Sequence, residues 1–275
     1  MIPKIIHYCW FGNGELSELA KKCIGSWKKY CPDYEIKQWN ETNFDISECK
    51  YMKQAYEAKK WGFVPDYARN KIIYENGGFY FDTDVEIVKN LDSLLNEKCI
   101  ISFESSKLVN GGNIIAGEKG NPVLKSLFEI YHKINFCNEK GTLNTTPSPF
   151  YNTEVLKTFG LQQNNTLQRL PLVTIYPTDY FCPKDVTTKI LNVTSNTYSI
   201  HHFDGSWLDA NSIYMNKVRQ NAQKLFGKTI LSKIVIKFFQ SVVLKIKNFS
   251  KNIKTKGLLI TLYYYVNKFL NKIHK

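Results

Sequence analysis

The last quarter of this chain of 275 residues contains no acidic residue. Residues 211–275 hold 14 lysines and arginines and no aspartate or glutamate, whereas residues 1–210 hold 23 basic and all 24 acidic residues. The net charge of +13 therefore belongs to a basic tail attached to a nearly neutral body. We divide the chain into a first domain, residues 1–210, and a tail, residues 211–275. Any partner attracted by positive charge, such as an anionic lipid surface or a nucleic acid, is expected at the tail.

Cysteine pairs with the spacing of a metal or redox site are also missing. The seven cysteines are scattered, and no two of them have the spacing C-x-x-C, so neither a zinc knuckle nor a disulfide framework is indicated. No run approaches the ~18 apolar residues of a membrane-spanning helix. The first residues are too polar for a signal peptide. We therefore expect reduced cysteines and a cytoplasmic protein.

Strand and helix patterns alternate along the first domain, which has enough apolar residues for one sizeable core (43% hydrophobic in the whole chain). We predict helices from about residue 16 to 31, over 49–60, from Pro65 to the Gly77-Gly78 pair, and over 122–134. A long loop is predicted over 135–149. Strands are predicted at 2–11, 34–39, 79–85, 100–103, 113–116, 173–176 and 198–202. This alternation predicts an α/β fold with a largely parallel sheet.

The tail has the pattern of an amphipathic helix. Between residues 228 and 249, polar residues recur every three or four positions and leave a broad apolar face opposite a narrow basic edge. A second apolar piece, residues 258–270, contains Tyr263-Tyr264-Tyr265. The tail is therefore expected to lie on a membrane surface or to pack its apolar face on another protein surface.

Two aspartates stand at the end of a predicted strand. Because side chains alternate along a strand, Tyr80, Asp82 and Asp84 would project to one face and place two carboxylates side by side. In open α/β sheets, ligands bind at the carboxyl ends of the strands. Two adjacent carboxylates are costly unless a cation lies between them, and a divalent ion that also contacts a diphosphate is a common solution. The alternative is a solvated strand end with two exposed acids.

Three further groups are candidates for binding or catalysis. Asp66 and Arg69 are three residues apart on one helix face, either as a surface ion pair or as a fork of donors for phosphate and sugar oxygens. Trp10 follows the first predicted strand and either stacks on a base or belongs to the core. His201 and His202 follow the last predicted strand, and one of them would complete a metal site unless both are structural.

These segments together resemble glycosyltransferase family 32. The resemblance rests on four motifs in order, namely residues 2–12 (IPKIIHYCWFG), 65–69 (PDYAR), 77–84 (GGFYFDTD) and 202–207 (HFDGSW). The family comprises DXD-motif sugar transferases of bacterial capsules and lipopolysaccharides, related to yeast-type mannosyltransferases and to the glucosylating domain of large bacterial toxins. It implies a GT-A fold, which is Rossmann-like, with a mostly parallel sheet flanked by helices, here followed by the basic amphipathic helical tail.

The resemblance also implies roles for individual residues. It implies that Trp10 stacks on the base, that Asp84 ligates a Mn²⁺ or Mg²⁺ ion directly, and that Trp207 contacts the leaving phosphate. The residues it implies for donor binding are Trp10, Phe11, Gly12, Asp66, Arg69, Tyr80, Asp82, Ser206 and Trp207. Those implied for catalysis are Asp66, Arg69, Asp82, Asp84 and Trp207.

A metal site made of Asp82, Asp84 and His202 is implied as well, with the choice between His201 and His202 left open. Glu104, Asn110 and Asn113 lie at predicted strand ends, where contacts to the sugar or the acceptor are expected. No motif of the family supports these three residues, so their assignment rests on position alone.

The function implied by the resemblance is that of a retaining, metal-dependent glycosyltransferase. It would move a hexose or N-acetylhexosamine from a nucleotide sugar, with a UDP-sugar favoured, to a glycan or a lipid-linked oligosaccharide in the synthesis of a bacterial surface polysaccharide. The tail would hold the enzyme on the inner face of the cell membrane, through anionic lipids. The alternatives are transfer to a protein, as in the toxins, and a nucleic-acid binder that uses the tail. The last leaves the two aspartates unexplained, so we expect no nucleic-acid partner.

Overall fold

The computed structural model describes residues 1–205 and, beyond them, residues 215, 218, 221, 222, 227, 229 and 230–249. The chain separates into two compact units, Met1–Trp207 and Leu208–Lys275, and each is described by itself. The predicted site residues Ser206 and Trp207 lie outside the described residues, as does the apolar piece at 258–270.

A seven-stranded sheet forms the centre of the described part of the first unit. Its strands are β1 Ile5–Cys9, β2 Glu35–Trp39, β3 Gly78–Tyr80, β5 Cys99–Phe103, β6 Val109–Gly117, β7 Gln168–Arg169 and β8 Thr174–Tyr176. A small second sheet pairs β4 Val85–Ile87 with β9 Ser199–His201. The strand order in the large sheet is β2-β1-β3-β6-β5-β8-β7, and β6 and β7 alone run against the other five. The predicted α/β fold with a mostly parallel sheet is confirmed.

Helices cover both faces of the large sheet. They are α1 Glu18–Tyr30, α2 Lys50–Glu57, α3 Pro65–Asn76, α4 Pro122–Glu129, α5 Ser148–Lys157 and α6 Thr178–Phe181. Neighbouring residues of one strand, such as Phe79 and Tyr80 or Ile100 and Ile101, enter different hydrophobic clusters. This alternation places one core on each face of the sheet, because successive side chains of a strand point to opposite sides.

Helix α1 anchors the segment that follows β3. Ser17 caps the helix by accepting a hydrogen bond from the Ala20 amide, and Trp27 is completely buried. The Trp27 indole N–H donates to the Val85 carbonyl at 2.8 Å, and the Ser26 hydroxyl accepts from the Ile87 amide at 2.9 Å. Strand β4 is therefore fixed to the helix through its backbone.

Helix α3 is buried along most of its length, and its polar residues are buried with it. Pro65 stands in the first turn, and Gly77, with φ of 71°, ends the helix as predicted. Asp66 and Arg69 are each only 4% exposed. Charged residues are seldom buried without partners, so this helix indicates a specific use for them.

Several elements differ from the sequence prediction, and α6 and β7 were not predicted at all. The predicted strand 79–85 is interrupted after Tyr80, and Asp82-Thr83-Asp84 belongs to the connection that leads into β4. The predicted loop 135–149 ends in helix α5, which the sequence reading missed because its apolar residues lack helical spacing. Tertiary contacts hold α5: Thr153 Oγ1 accepts from the Val109 amide at 3.0 Å and donates to the Pro149 carbonyl at 2.7 Å.

In the second unit, the described residues centre on one helix, α7 Ile230–Phe249. Val235 and Phe239 pack with Met215 and Val218 in a small apolar cluster. Ile234 and Phe238 are 57% and 60% exposed. The predicted amphipathic helix is thus present over these residues. Within the described parts of the chain, no helix is long and apolar enough to cross a membrane.

Candidate functional site

The Asp82-Thr83-Asp84 segment is a turn whose backbone is held from both sides. The Asp82 amide donates to the Gly112 carbonyl of β6 at 3.0 Å, and the Val85 amide donates to the Asp82 carbonyl at 3.0 Å. The prediction that Tyr80, Asp82 and Asp84 share the face of a continuous strand is therefore wrong. The turn nevertheless brings the two carboxylates together, because β4 then pairs with β9 and carries Asp84 to the histidines that end it.

Asp82, Asp84 and His201 form a cluster with the composition of a metal site. One ligand atom from each residue lies within 4.8 Å of the other two. His201 Nε2 is 3.2 Å from Asp84 Oδ1, and the Asp204 amide donates to Asp84 Oδ2 at 3.0 Å. Two carboxylates and one imidazole suit a divalent cation. The residues present thus fit the predicted Mn²⁺ or Mg²⁺ ion.

The charged forms of Asp84 and His201 stabilise each other. Burial alone would raise the pKa of Asp84, but His201 and the Asp204 amide hold it well below its usual range. Burial alone would lower the pKa of His201, but Asp84 raises it well above its usual range. Asp84 is therefore a carboxylate over the whole physiological pH range, whereas a metal ion bound by His201 would have to displace the proton on its Nε2.

Asn113 orients His201 by contacting Nδ1, the ring nitrogen that does not face Asp84. His201 Nδ1 lies 2.7 Å from Asn113 Oδ1, and the Asn113 amide nitrogen faces the Ser102 hydroxyl and the Phe103 carbonyl at 3.5 and 3.4 Å. An amide oxygen can only accept, so Nδ1 carries the proton and Nε2 is directed to the aspartates. Since Asn113 is fully buried, we interpret it as a residue that positions His201.

His202 is placed outside this cluster. Its Nε2 is 2.8 Å from Glu86 Oε2, and Glu86 also pairs with Lys22 at 3.0 Å. The structure therefore corrects the choice of histidine in the predicted metal site from His202 to His201. The reason is the alternation of β9, whose last residue, His201, pairs with Val85 and projects its ring towards Asp84.

Arg69 joins Asp66 to the aspartate turn. Its guanidinium lies 3.0 Å from Asp66 Oδ1 and 3.5 Å from Asp82 Oδ1, and its Nε donates to the Pro65 carbonyl at 3.2 Å. Tyr80 supports the arrangement, since its hydroxyl donates to Asp82 Oδ1 at 2.9 Å and its ring lies 5.4 Å from the guanidinium. The predicted pair Asp66–Arg69 is thus a buried part of the site and not a surface ion pair.

Burial changes the protonation of Asp66. It raises the pKa of this carboxyl to about 7, although Arg69 acts in the opposite direction. The same burial disfavours the charged guanidinium, but Asp82, Tyr80 and Asp66 keep the pKa of Arg69 above its usual value. Asp66 therefore offers both a hydrogen-bond acceptor and, near neutral pH, a donor to a polar ligand.

Glu104 and Asn110 reach the aspartate turn through the backbone of β6. Asn110 Nδ2 donates to Glu104 Oε2 at 2.6 Å, and Asn110 Oδ1 accepts from the Gly112 amide at 2.8 Å. The Gly112 carbonyl in turn accepts from Asp82. Burial raises the pKa of Glu104. Both predicted residues are thus connected to Asp82 by hydrogen bonds through the backbone of Gly112.

The sequence analysis missed Gly112. A β-carbon at this position would clash with Asp82 Oδ2 and would lie 2.8 Å from Arg69 Nη1. Glycine is therefore required for the turn and the arginine to approach β6. The Gly111-Gly112 pair inside β6 was the available signal, because glycine in a strand often marks a close approach.

The predicted residues Trp10, Phe11 and Gly12 leave the sheet next to the aspartate turn. β1 and β3 are parallel neighbours, with His7 opposite Tyr80, so both chains leave the sheet at the same edge. Trp10 is partly exposed and donates its indole N–H to the Gly14 carbonyl at 2.6 Å. Phe11 is 7% exposed and belongs to the core, so its side chain offers little surface to a ligand.

Comparison with known proteins finds a family that matches part of the region containing the site. Residues 17–101 match the family described as "Glycosyltransferase sugar-binding region containing DXD motif". Residues 17–101 are therefore similar to the sugar-binding region of DXD-motif glycosyltransferases. The match contains Asp66, Arg69, Tyr80, Asp82 and Asp84, and it confirms the resemblance to family 32.

Part of the chain is also similar to a curated protein. It is 30% identical over 131 residues to inositol phosphoceramide mannosyltransferase 3 of Schizosaccharomyces pombe (strain 972 / ATCC 24843). The matched part is 45% of this chain and 35% of that protein, so the chain spans about a third of its relative's length.

Two solved glycosyltransferase structures also match. The PaToxG glycosyltransferase matches with a TM-score of 0.43 and 21% identity, over 57% of this chain and 69% of that chain. A glycosyltransferase involved in the glycosylation of the major capsid of PBCV-1 matches with a TM-score of 0.41 and 13% identity, over 81% of this chain and 100% of that chain.

Proposed function

We propose that this chain is a metal-dependent, retaining glycosyltransferase that uses a nucleotide sugar, with a UDP-sugar favoured. The observation that carries the proposal is the cluster of Asp82, Asp84 and His201 beside the buried pair of Asp66 and Arg69. The first group has the ligands for a cation that would bind a diphosphate. The second has a fork of donors and a carboxyl group suited to sugar and ribose hydroxyls.

The choice of metal follows from the ligands. Mg²⁺ prefers an octahedral shell of oxygens, whereas an imidazole nitrogen is better accepted by Mn²⁺ and the later transition metals. Because His201 replaces a possible third oxygen, we favour Mn²⁺ over Mg²⁺. The bound cation would supply positive charge next to the diphosphate of the donor, which becomes more negative as the bond to the sugar breaks.

The residues of the chain then have separate tasks. Arg69 orients the carboxylates of Asp82 and Asp66, and the Tyr80 hydroxyl donates a hydrogen bond to Asp82 Oδ1. Asn113 keeps the Nε2 of His201 available. These contacts are all made within the chain itself, and a site whose groups are held in this way would lower the cost of reaching the transition state.

For the acceptor, we propose a glycan attached to a lipid, such as a lipid-linked oligosaccharide at the cytoplasmic face of a membrane. The segment that precedes β9 exposes four apolar side chains to solvent, at 40–67%: Val186, Ile190, Leu191 and Val193. The inositol phosphoceramide named for the yeast relative is also a lipid. An amphiphilic acceptor would account for apolar surface in this part of the first unit.

We also propose that the second unit binds an anionic membrane surface, which makes the protein peripheral on the inner face of the cell membrane. On α7, Ile234 and Phe238 are exposed beside the exposed Lys233 and Lys237. Residues 211–275 carry no acidic residue that would repel anionic lipids. Exposed apolar groups next to lysines are typical of helices that lie in a lipid interface.

Donor turnover tests the proposed activity. Full-length protein is incubated with Mn²⁺ and UDP-glucose, UDP-galactose, UDP-N-acetylglucosamine or GDP-mannose, and release of the nucleoside diphosphate is measured. We expect turnover of one donor, abolished by chelation and reduced at least ~100-fold in Asp84→Asn. The control is Asp33→Asn, because Asp33 is an exposed carboxylate paired with Lys4. Equal rates in Asp84→Asn and the unaltered protein would contradict the proposal.

A further inference from the structure

Lys189 lies on a closed loop next to the metal cluster. Residues 183–192 fold back on themselves, since the Asn192 amide donates to the Pro183 carbonyl at 3.0 Å and the Asp185 amide to the Ile190 carbonyl at 2.9 Å. The loop sits between α6 and β9, the strand that ends in His201. The side chains of this loop therefore lie in the same part of the first unit as His201.

The backbone at Lys189 is held in an unusual conformation. Its φ is +61°, and Phe203, which Lys189 contacts, has a φ of +56°. The left-handed region is unfavourable for a residue with a β-carbon, and such residues gather at functional sites. Lys189 and Phe203 both have this conformation, are in contact and lie beside the candidate metal site. This arrangement indicates a role beyond shaping the loop.

Three side chains are layered towards the cluster. The Lys189 ammonium is 4.9 Å from the centre of the Phe203 ring, and that ring is 4.1 Å from the His201 ring, centre to centre. Phe203 thus supports both the lysine and the histidine. The layering places the ammonium group near the ligands without making it one of them.

Within the described residues, the Lys189 ammonium contacts the Phe203 ring but has no partner among the carboxylates. In the described part of the chain, its ammonium makes no hydrogen bond or ion pair, whereas the nearby Lys184 donates to the His202 carbonyl at 3.0 Å. Lys189 is partly buried and feels the charges of Asp84, Asp185 and Glu104. Burial and Lys184 lower the pKa of Lys189, so its cation is less stable here than in water. A strong anionic ligand would remove that penalty.

We propose that Lys189 binds the diphosphate of the donor, as a second positive group beside the cation held by Asp82, Asp84 and His201. This inference rests on the proposed function. An ammonium group is a compact charge with three donors and is well suited to phosphate oxygens. Lys189 approaches from the 183–192 loop, whereas the metal ligands belong to the turn and to β9. The diphosphate would therefore contact two separate segments of the chain.

The test compares ligands that differ by one phosphate. Affinities for UDP, UMP, GDP, GMP and inorganic pyrophosphate are measured by calorimetry with Mn²⁺ on the full chain. Lys189→Asn removes the charge and suits the left-handed backbone, which asparagine tolerates. Lys189→Arg keeps the charge. The control is Lys119→Asn. Lys119 is exposed in the turn after Gly117, which ends β6 and pairs with the first residue of β3.

We expect Lys189→Asn to weaken binding of pyrophosphate and of the preferred nucleoside diphosphate about tenfold, which corresponds to about 1.4 kcal/mol. The monophosphates should change less than threefold, Mn²⁺ affinity and Tm should stay unchanged, and Lys189→Arg should recover most of the loss. Unchanged diphosphate affinity, or equal losses for mono- and diphosphates, would overturn the inference alone. If the unaltered protein binds no diphosphate in the presence of Mn²⁺, both the proposed function and this inference are contradicted.

Discussion

The two units use polar and apolar residues in opposite ways. In the first, charged residues such as Asp66 and Arg69 are buried and paired, and the apolar residues form two closed cores. In the second, Ile234 and Phe238 of α7 are largely exposed, beside lysines. Burying charge is costly and is kept where a site needs fixed groups, whereas exposed apolar surface indicates a partner. This difference agrees with the proposals that the first unit carries the chemistry and that the second attaches the protein to a membrane.

The largest effect is expected from crowding the buried site. Gly112→Ala places a methyl group against Asp82 Oδ2 and close to Arg69. Because both groups are fixed by other bonds, we expect Mn²⁺ affinity to fall at least ~100-fold, with a loss of stability of about 1–3 kcal/mol from overpacking. Mn²⁺ titration and thermal unfolding measure the two effects.

Gly111→Ala is the matched control for this change. The nearest atom to its added methyl is Asn152 Nδ2 at 3.4 Å, an ordinary contact. It should retain Mn²⁺ affinity within about threefold. If the two variants behave alike, the close approach of the aspartate turn to Gly112 does not explain the site.

A smaller and more selective effect is expected from the two adjacent histidines. His201→Ala removes a ligand, and we expect Mn²⁺ to bind ~10–100-fold more weakly. His202→Ala removes the contact with Glu86 and should leave Mn²⁺ affinity unchanged. Metal titration of both variants decides which histidine faces the aspartates. Loss of affinity in His202→Ala alone would contradict the correction made here.

The smallest effect on the fold is expected in α7. The double change Ile234→Ser and Phe238→Ser removes exposed side chains, so Tm should stay within about 2 °C, since surface changes are usually worth under ~0.5 kcal/mol. Binding to vesicles that contain phosphatidylserine should fall about tenfold in sedimentation assays. Gln240→Ser, an exposed change on the same helix, is the control. Unchanged vesicle binding would place the attachment elsewhere.

Much of the site was predictable because it depends on short-range patterns. Pro65 and the Gly77-Gly78 pair delimit α3, and three-residue spacing puts Asp66 and Arg69 on one face. The DXD segment was found in the sequence, but its turn was not, because that turn depends on a hydrogen bond from Asp82 to Gly112, thirty positions away. Long-range contacts of this kind leave no local periodicity to read.

The choice between His201 and His202 shows the same limit. Both residues lie at the end of the same predicted strand, and a shift of one residue reverses which side chain faces the site. The pairing of His201 with Val85 sets that register. Gly112 and Lys189 were missed for a related reason, since each acquires its role only from residues brought close by the fold.

Thermal unfolding with nucleoside diphosphates tests the central claim most directly. Full-length protein and Asp84→Asn are compared with UDP, GDP, ADP and CDP, each with and without Mn²⁺. A ligand at 100 times its Kd stabilises the folded state by about 2.7 kcal/mol. We predict a rise in Tm with one nucleotide that requires Mn²⁺ and disappears in Asp84→Asn. A Tm that no nucleotide changes, or a rise that is the same in Asp84→Asn, would contradict the assignment of a metal-dependent donor site to the first unit.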